Sequence, residues 1–576
     1  MSTETNNALL QLLVEKKALS TEQAQKVSEQ FRDEPGELQR LLVDSKLVDE
    51  EVMIEAYASV LGMPFVNLRG KVIPKNILAI IPESTARGHL IIAYEEEVDK
   101  VRVAMSNPRD RQIVEFIHKK VGRPVEVALS SETGIREILN QYQESLETEL
   151  KKIIQETAPL INSTTDLNKA AEDLPTVRVT DAILKHAILQ RASDIHIEPL
   201  EDQVIIRYRI DGLLADKLIL PKNMMAGLVA RIKVLSNLKI DEHRLPQDGR
   251  FKIANTDYQV SFRVSILPVF DGEKIVMRLL DEGGQGLGLD DIGFTPKGLE
   301  IFRRNINKPH GMILVTGPTG SGKTTTLYAA MKELNTPDVN ISTVEDPIEY
   351  RMPRINQTQI KAQIGLTFSN GLRALVRQDP DIIMVGEIRD EETASLAINA
   401  ALTGHLVLST LHTNSAAGAL PRLLDMNAEA FLIASTTNLL VAQRLVRRLC
   451  NKCRKQSKIT ETLLEQLKHT FDLDKLLETL KRQEIIDKDT TWKNVTIYDP
   501  VGCTLCNAGY RGRAGIYELL EITPTIQQMI TPQTTSQQLE EAARKEQGMV
   551  TMLEDGFAKA IQGVTTLEEV LRVAKE

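Results

Sequence analysis

The stretch Gly317-Pro318-Thr319-Gly320-Ser321-Gly322-Lys323-Thr324 fits the pattern G-x-x-x-x-G-K-[ST], and it constrains the fold more than any other segment of the chain. The apolar run MILVT precedes it and TTLYAAMKEL, with helical spacing, follows it. A strand, a glycine-rich turn and a helix in that order present backbone N–H groups to an anion, where the helix dipole also favours negative charge. Gly317 through Thr325 are therefore expected to cradle the phosphates of a nucleotide. Lys323 is expected to reach the β- and γ-phosphates, and the Thr324 hydroxyl to bind Mg²⁺.

A second stretch raises a difficulty. In DPDIIMVGEIRD, Asp379 to Asp390, an apolar strand ends in Gly386-Glu387, where an ATP-hydrolysing site would ordinarily carry an aspartate. Upstream, ISTVEDPIEY places Glu345, Asp346 and Glu349 around the end of a short strand. Downstream, ALTGHLVLSTLHTNSA supplies His405 and His412 around another. In a parallel sheet such strand ends gather on the edge that holds the phosphate loop. Glu345 and Glu387 are thus both expected near the γ-phosphate, one holding a magnesium-bound water and the other orienting the attacking water.

At 576 residues, the chain is too long for a single core and reads as several domains. No run approaches the ~20 apolar residues that span a bilayer, and the start, MSTETNNALLQ, carries no signal-peptide pattern. A cytoplasmic protein without direct membrane insertion is expected. The four cysteines fall into CNKC (Cys450, Cys453) and CTLC (Cys503, Cys506). In a reducing compartment two such pairs read as a tetrathiolate Zn²⁺ site, with the intervening segment as a helical insertion.

The first 60 or so residues carry a faint internal echo, Leu12–Gln23 against Leu41–Glu51, that suggests two small helical units. A mixed α/β segment follows, and then a polar linker. From Thr176 a helix runs into a strand, and QVIIRYRIDGLL and YQVSFRVSILPVF alternate like half-buried strands around the helix MAGLVARIKVLSNL. Four glycines between Gly283 and Gly288 mark a flexible hinge.

The four segments GPTGSGKT, TVEDPIE, DIIMVGEIRD and TGHLVLSTLHT, in this order, resemble the phosphate loop, Asp box, Walker B and His box of the secretion ATPases of type IV pilus assembly and type II secretion. RASDIHIEP, LPQDGR and the cysteine quartet extend the resemblance, which is strong from Thr176 onward and looser over the first 145 residues. In that family the Walker B strand ends in Gly-Glu, so Gly386 is the usual form. The resemblance implies an α/β C-terminal P-loop NTPase (RecA-like) domain, a PAS-like α+β middle domain and a mostly helical plus α/β N-terminal region. The corresponding boundaries are 1–145 for a platform-interaction domain, 146–175 for a linker, 176–282 for the middle domain, 283–290 for a hinge, and 291–576 for the ATPase domain with a zinc-binding subdomain at 450–506.

The resemblance further implies a homo-hexameric ring at the inner face of the plasma membrane, converting ATP hydrolysis into movement of an inner-membrane platform protein. Glu345 takes the role of catalytic glutamate, Glu387 the magnesium-side glutamate, and His412 stands in the His box. A middle-domain arginine, Arg207, Arg209 or Arg231, supplies charge to the nucleotide as the hinge closes, and Arg209 is taken as the candidate. The paired N-terminal units favour pilus assembly, with type II secretion as the alternative. A net charge of −9 and the lack of basic–aromatic clusters speak against a DNA-transfer ATPase, so no nucleic acid is expected. Some relatives bind a cyclic dinucleotide through an Arg-Leu-Gly motif; here the matching place reads GELQRLLVDSKLVDEE, with Lys46 where glycine would stand, and that ligand is not carried over.

Overall fold

A computed structural model describes residues 3–16, 18–30, 38, 42–43, 47–97, 99–108, 110–139, 141, 173–254, 259–281, 287–503, 506–531 and 533–574. Residues 41 and 44–46 in the second half of the N-terminal echo, most of the polar linker, and residues 283–286 of the glycine hinge lie outside the described residues. The chain divides into two compact units, residues 1–208 with 216–279, and residues 209–215 with 280–576.

In the first unit, helices Thr3–Glu15, Thr21–Gln30 and Glu50–Leu61 bury Leu9, Leu13, Met53 and Ala56. A small sheet follows, with β1 (Ile91–Glu96) antiparallel to β2 (Val101–Met105) and β2 parallel to β3 (Val125–Leu129). Further along come helix Leu174–Leu189, β4 (Asp194–Pro199), β5 (Gln203–Ile210), β6 (Leu213–Pro221), helix Met225–Leu235, β7 (Gln247–Ala254), β8 (Gln259–Val269) and β9 (Gly272–Asp281). These strands form one sheet in the order β6-β5-β4-β9-β8-β7. Strict alternation along β5 buries Val204, Ile206 and Tyr208 on one face, as the period of two requires. Burial leaves the Tyr208 hydroxyl needing a partner, and it donates to the Ile183 carbonyl oxygen at 2.8 Å, tying strand to helix.

The second unit is built on β10 (Gly311–Thr316), β11 (Ile341–Glu345), β12 (Ile355–Gln359), β13 (Ile382–Val385), β14 (Leu406–Leu411), β15 (Thr437–Leu449), and, after β16 (Lys455–Lys458) and β17 (Thr496–Asp499), β18 (Tyr510–Glu521). Its sheet runs β12-β11-β13-β14-β10-β15-β18, parallel from β12 to β15, with β18 antiparallel to β15. Strands covered on both faces read as unbroken apolar runs, and every residue of β10, β13 and β14 is buried. The pleat divides β10 between two cores. Ile313 and Val315 pack with Leu327 and Met331 of helix Lys323–Leu334, whereas Met312 and Leu314 join Leu372 and Ala397 on the opposite face. Each such side chain contributes roughly 1.5–3 kcal/mol, so a charge introduced at Leu314 would break this layer.

Pairing of β16 with β17 closes the base of the cysteine segment. Between them stand two helices, Glu461–Thr470 and Leu473–Arg482, the second capped by Asp472, which accepts from the Lys475 amide at 3.0 Å. The amphipathic spacing seen in the sequence has its core partner here: Leu473, Leu476 and Leu480 pack with Trp492 and with Phe557 of helix Met552–Ile561.

Candidate functional site

The sheet order decides what meets what. β14 lies between β13 and β10, so the residues after β10, β13, β14 and at the end of β11 emerge along one edge. The phosphate-loop residues Gly317, Pro318, Thr319, Gly320, Ser321 and Gly322 leave β10, and Lys323, Thr324 and Thr325 open the following helix. Gly320 and Gly322 adopt φ values of 83° and 89°, and a Cβ at Gly322 would come within 2.8 Å of Gln443 Nε2. Gln443, on β15, thus braces the loop, while its Oε1 accepts from Thr326 Oγ1 at 2.8 Å.

Lys323 is 9% exposed, and its ammonium donates to the carbonyl oxygens of Gly317 and Pro318 at 2.7 and 3.1 Å. Burial lowers its pKa to about 8, with Glu387 opposing the shift and Arg444 adding to it. Two further observations fit the loop to a phosphate. The helix from Lys323 has no side-chain cap on its first amides, and the buried Ser321 Oγ makes no hydrogen bond.

Gly386 stands at the strand end where an aspartate would be expected. A Cβ there would lie 3.4 Å from Glu345 Cα, Phe368 Cε1 and the Val344 carbonyl oxygen, in close contact with all three. The acid stands one residue later instead. Thr410 Oγ1 donates to the Gly386 carbonyl oxygen at 2.7 Å and Ser409 Oγ to that of Val385 at 2.7 Å, fixing the strand end from which Glu387 projects. The Glu387 carboxylate meets Arg389 Nε at 2.7 Å and His412 Nε2 at 3.3 Å.

Glu345 is only 2% exposed. Tyr328 donates to its Oε2, while Oε1 receives Thr343 Oγ1 at 2.5 Å and Gln357 Nε2 at 3.2 Å. Desolvation raises its pKa in spite of these three donors. A carboxylate so held is a stronger base than a solvated one, and its position is set by side chains from three different elements. His405 serves the backbone: its Nδ1 faces the Ala400 carbonyl oxygen at 2.9 Å.

The three candidate arginines, two on β5 and one on helix Met225–Leu235, have local partners. Arg207 pairs with Glu198 at 3.3 Å and Asp216 at 3.1 Å, Arg209 Nη1 donates to the Gly212 carbonyl oxygen at 3.0 Å, and Arg231 stands within electrostatic reach of Asp181. Away from the nucleotide edge, the sulfurs of Cys450, Cys453, Cys503 and Cys506 lie within 4.8 Å of one another and form a group that can hold a metal ion. Cys450–Cys503, Cys453–Cys506 and Cys503–Cys506 are 3.8, 3.7 and 3.6 Å apart. A tetrahedron of sulfurs about 2.3 Å from a central Zn²⁺ has edges of about 3.8 Å.

Residues that spacing alone did not single out complete the edge: Tyr328, Gln357, Gln443, Asn414 and Arg444. Only Gln443-Arg444 leaves a trace in the sequence, as a polar pair inside the apolar run LLVAQRLV.

A family model described as Type II/IV secretion system protein matches residues 169–572, and one described as MshEN domain matches residues 61–149. The chain belongs to the type II/IV secretion system protein family. This secretion ATPase is an enzyme that hydrolyses ATP, as its family does. It is 38% identical over 573 residues to the type IV pilus assembly ATPase PilB of Myxococcus xanthus, covering 97% of this chain and 98% of that one. It is 40% identical over 539 residues to the type II secretion system protein E of Xanthomonas campestris, covering 92% of each. Among solved structures, the ATPase DotB of Legionella pneumophila matches with a TM-score of 0.49 and 23% identity, over 69% of this chain and 95% of that one. Among the described residues, no helix of this secretion ATPase is long and apolar enough to cross a membrane.

Proposed function

We propose that this chain is the motor that couples ATP hydrolysis to type IV pilus assembly, working as a homo-hexamer on an inner-membrane platform protein from the inner face of the plasma membrane. The observation that carries the enzymatic part is the convergence of Lys323, Glu345, Glu387 and His412 on one sheet edge. Similarity to PilB along nearly the whole chain supports the pilus reading, and that to the type II secretion protein supports protein export as the alternative.

Backbone amides of Gly320 to Thr324 bind the phosphates, and Lys323 moves its ammonium from the Gly317 and Pro318 carbonyls to the phosphate oxygens. Thr324 and Glu387 would hold Mg²⁺, which when bound neutralises charge on the β- and γ-phosphates. Glu345 orients the attacking water and takes its proton at a carboxylate oxygen, while Thr343 and Gln357 keep the carboxylate in place. Cys450, Cys453, Cys503 and Cys506 would hold Zn²⁺, whose role would be structural rather than catalytic.

Deleting the gene in its host and restoring it with the native chain or with Glu345→Gln tests the reading. Loss of surface pili that only the native chain restores is expected. Intact pili with a loss of protein export would transfer the assignment to type II secretion.

A further inference from the structure

Three consecutive residues after β14 each grip a different part of the nucleotide edge. His412 Nε2 meets Glu387 Oε2 at 3.3 Å. The Thr413 amide donates to Thr316 Oγ1 at 2.7 Å, and Thr316 is the last residue of β10 before the phosphate loop. Asn414 Oδ1 accepts from Arg444 Nη2 at 3.0 Å. Arg444 stands on β15, on the far side of β10 from β14, beside the Gln443 that braces Gly322. The segment, itself the continuation of β14, therefore ties together four adjacent strands, from the carboxylate after β13 to a guanidinium on β15.

Arg389 and His412 both contact the Glu387 carboxylate, but they differ in what fixes them. Arg389 is exposed, its side chain 69% accessible, so solvent screens its grip and the long side chain is free to leave. His412 is held through the backbone of a segment bonded to β10 at Thr413 and to Arg444 at Asn414. Arg444 itself is 6% exposed and anchored in the sheet.

We propose that Arg444 and Asn414 are positioning residues for ATP hydrolysis, anchoring one end of a His412-Thr413-Asn414 strap whose other end orients Glu387. The strap transmits the position of β15 to the acid that faces the phosphates, so a loss at Asn414 or Arg444 is felt in turnover more than in nucleotide binding. Misplacement of a positioned group by about 1 Å costs up to about 10²-fold in rate. This rests on reading Glu387 as an acid of the hydrolysis step.

The test is steady-state ATP hydrolysis by the full-length chain carrying Arg444→Gln, Asn414→Ala, Asn414→Asp or Glu387→Gln, with ADP affinity measured alongside. Arg444→Gln and Asn414→Ala are expected to lower kcat by about 10–100-fold, with KM and ADP affinity within about threefold of native. Asn414→Asp keeps the acceptor for Arg444 and should recover most of the activity. The double variant His412→Ala with Asn414→Ala should be no slower than the slower single, because the two act as one unit. Asn414 is exposed, so its variants carry the test even where Arg444→Gln fails to fold. Native kcat in Asn414→Ala, or an equal loss of nucleotide binding and turnover, would overturn the strap. If Glu387→Gln also turned over normally, the reading beneath it would fall as well; an impaired Glu387→Gln beside an active Asn414→Ala would sink the strap alone.

Discussion

Glu518 is a carboxyl in an apolar place, and the cost of its charge is open to measurement. It lies on β18, 4% exposed, where its Oε1 accepts from the Ala416 amide at 2.8 Å and its Oε2 from the Met552 amide at 3.4 Å. Desolvation, with smaller contributions from Glu540 and Glu554, pushes its pKa up to about 7. An unfolded glutamate gives up its proton near 4.5, so between 4.5 and about 7 the native state binds more protons, and stability falls as pH rises. At 1.36 kcal/mol per pH unit the window amounts to about 3 kcal/mol, most of which lies between pH 5 and pH 8. The perturbation is Glu518→Gln, which keeps the shape and removes the titration. Trp492, the chain's single tryptophan, reports on this region, since its ring meets Phe557 of helix Met552–Ile561 edge-on at 6.2 Å. Urea unfolding of native and variant, followed by Trp492 fluorescence at pH 5 and pH 8, is expected to show the difference between them moving by about 2–3 kcal/mol in favour of the variant at pH 8. Parallel pH profiles would refute the reasoning and place the charge of Glu518 in contact with water.

Glu345→Gln should leave nucleotide binding nearly intact and slow turnover by roughly 10²–10⁴-fold, the contribution of a positioned base; single-turnover hydrolysis beside nucleotide titration checks this. Lys323→Ala should instead raise the nucleotide dissociation constant, because the ammonium proposed to meet the phosphates is gone; unchanged ADP affinity by calorimetry would contradict it. Elemental analysis of protein purified without chelator should find one zinc per chain, and Cys503→Ser should abolish it. Structural zinc contributes an apparent ~10–16 kcal/mol in zinc-finger peptides, so its removal should expose Trp492 and shift its emission to the red.

The phosphate loop was legible because its requirements are local: glycines at positive φ, a lysine and a hydroxyl at fixed offsets, and an apolar run on one side with a helical one on the other. The strand ends bearing Glu345, Glu387 and His412 were legible for a related reason, since buried parallel strands are short apolar runs whose termini can be read. The helical insertion between the cysteine pairs showed in its spacing, though its break at Phe471-Asp472 did not. Other features depended on which strands are neighbours. Residue patterns do not state that β14 lies between β13 and β10, or that β15 borders β10 on the other side. Tyr328 and Gln357 fix the Glu345 carboxylate from elements remote in sequence, Arg444 reaches Asn414 across β10, and Glu518 receives amides from Ala416 and Met552. Local periodicity records only whether a side chain faces core or solvent. Which polar partner it meets there depends on strand order and register, and those follow from packing the whole sheet between its two apolar layers.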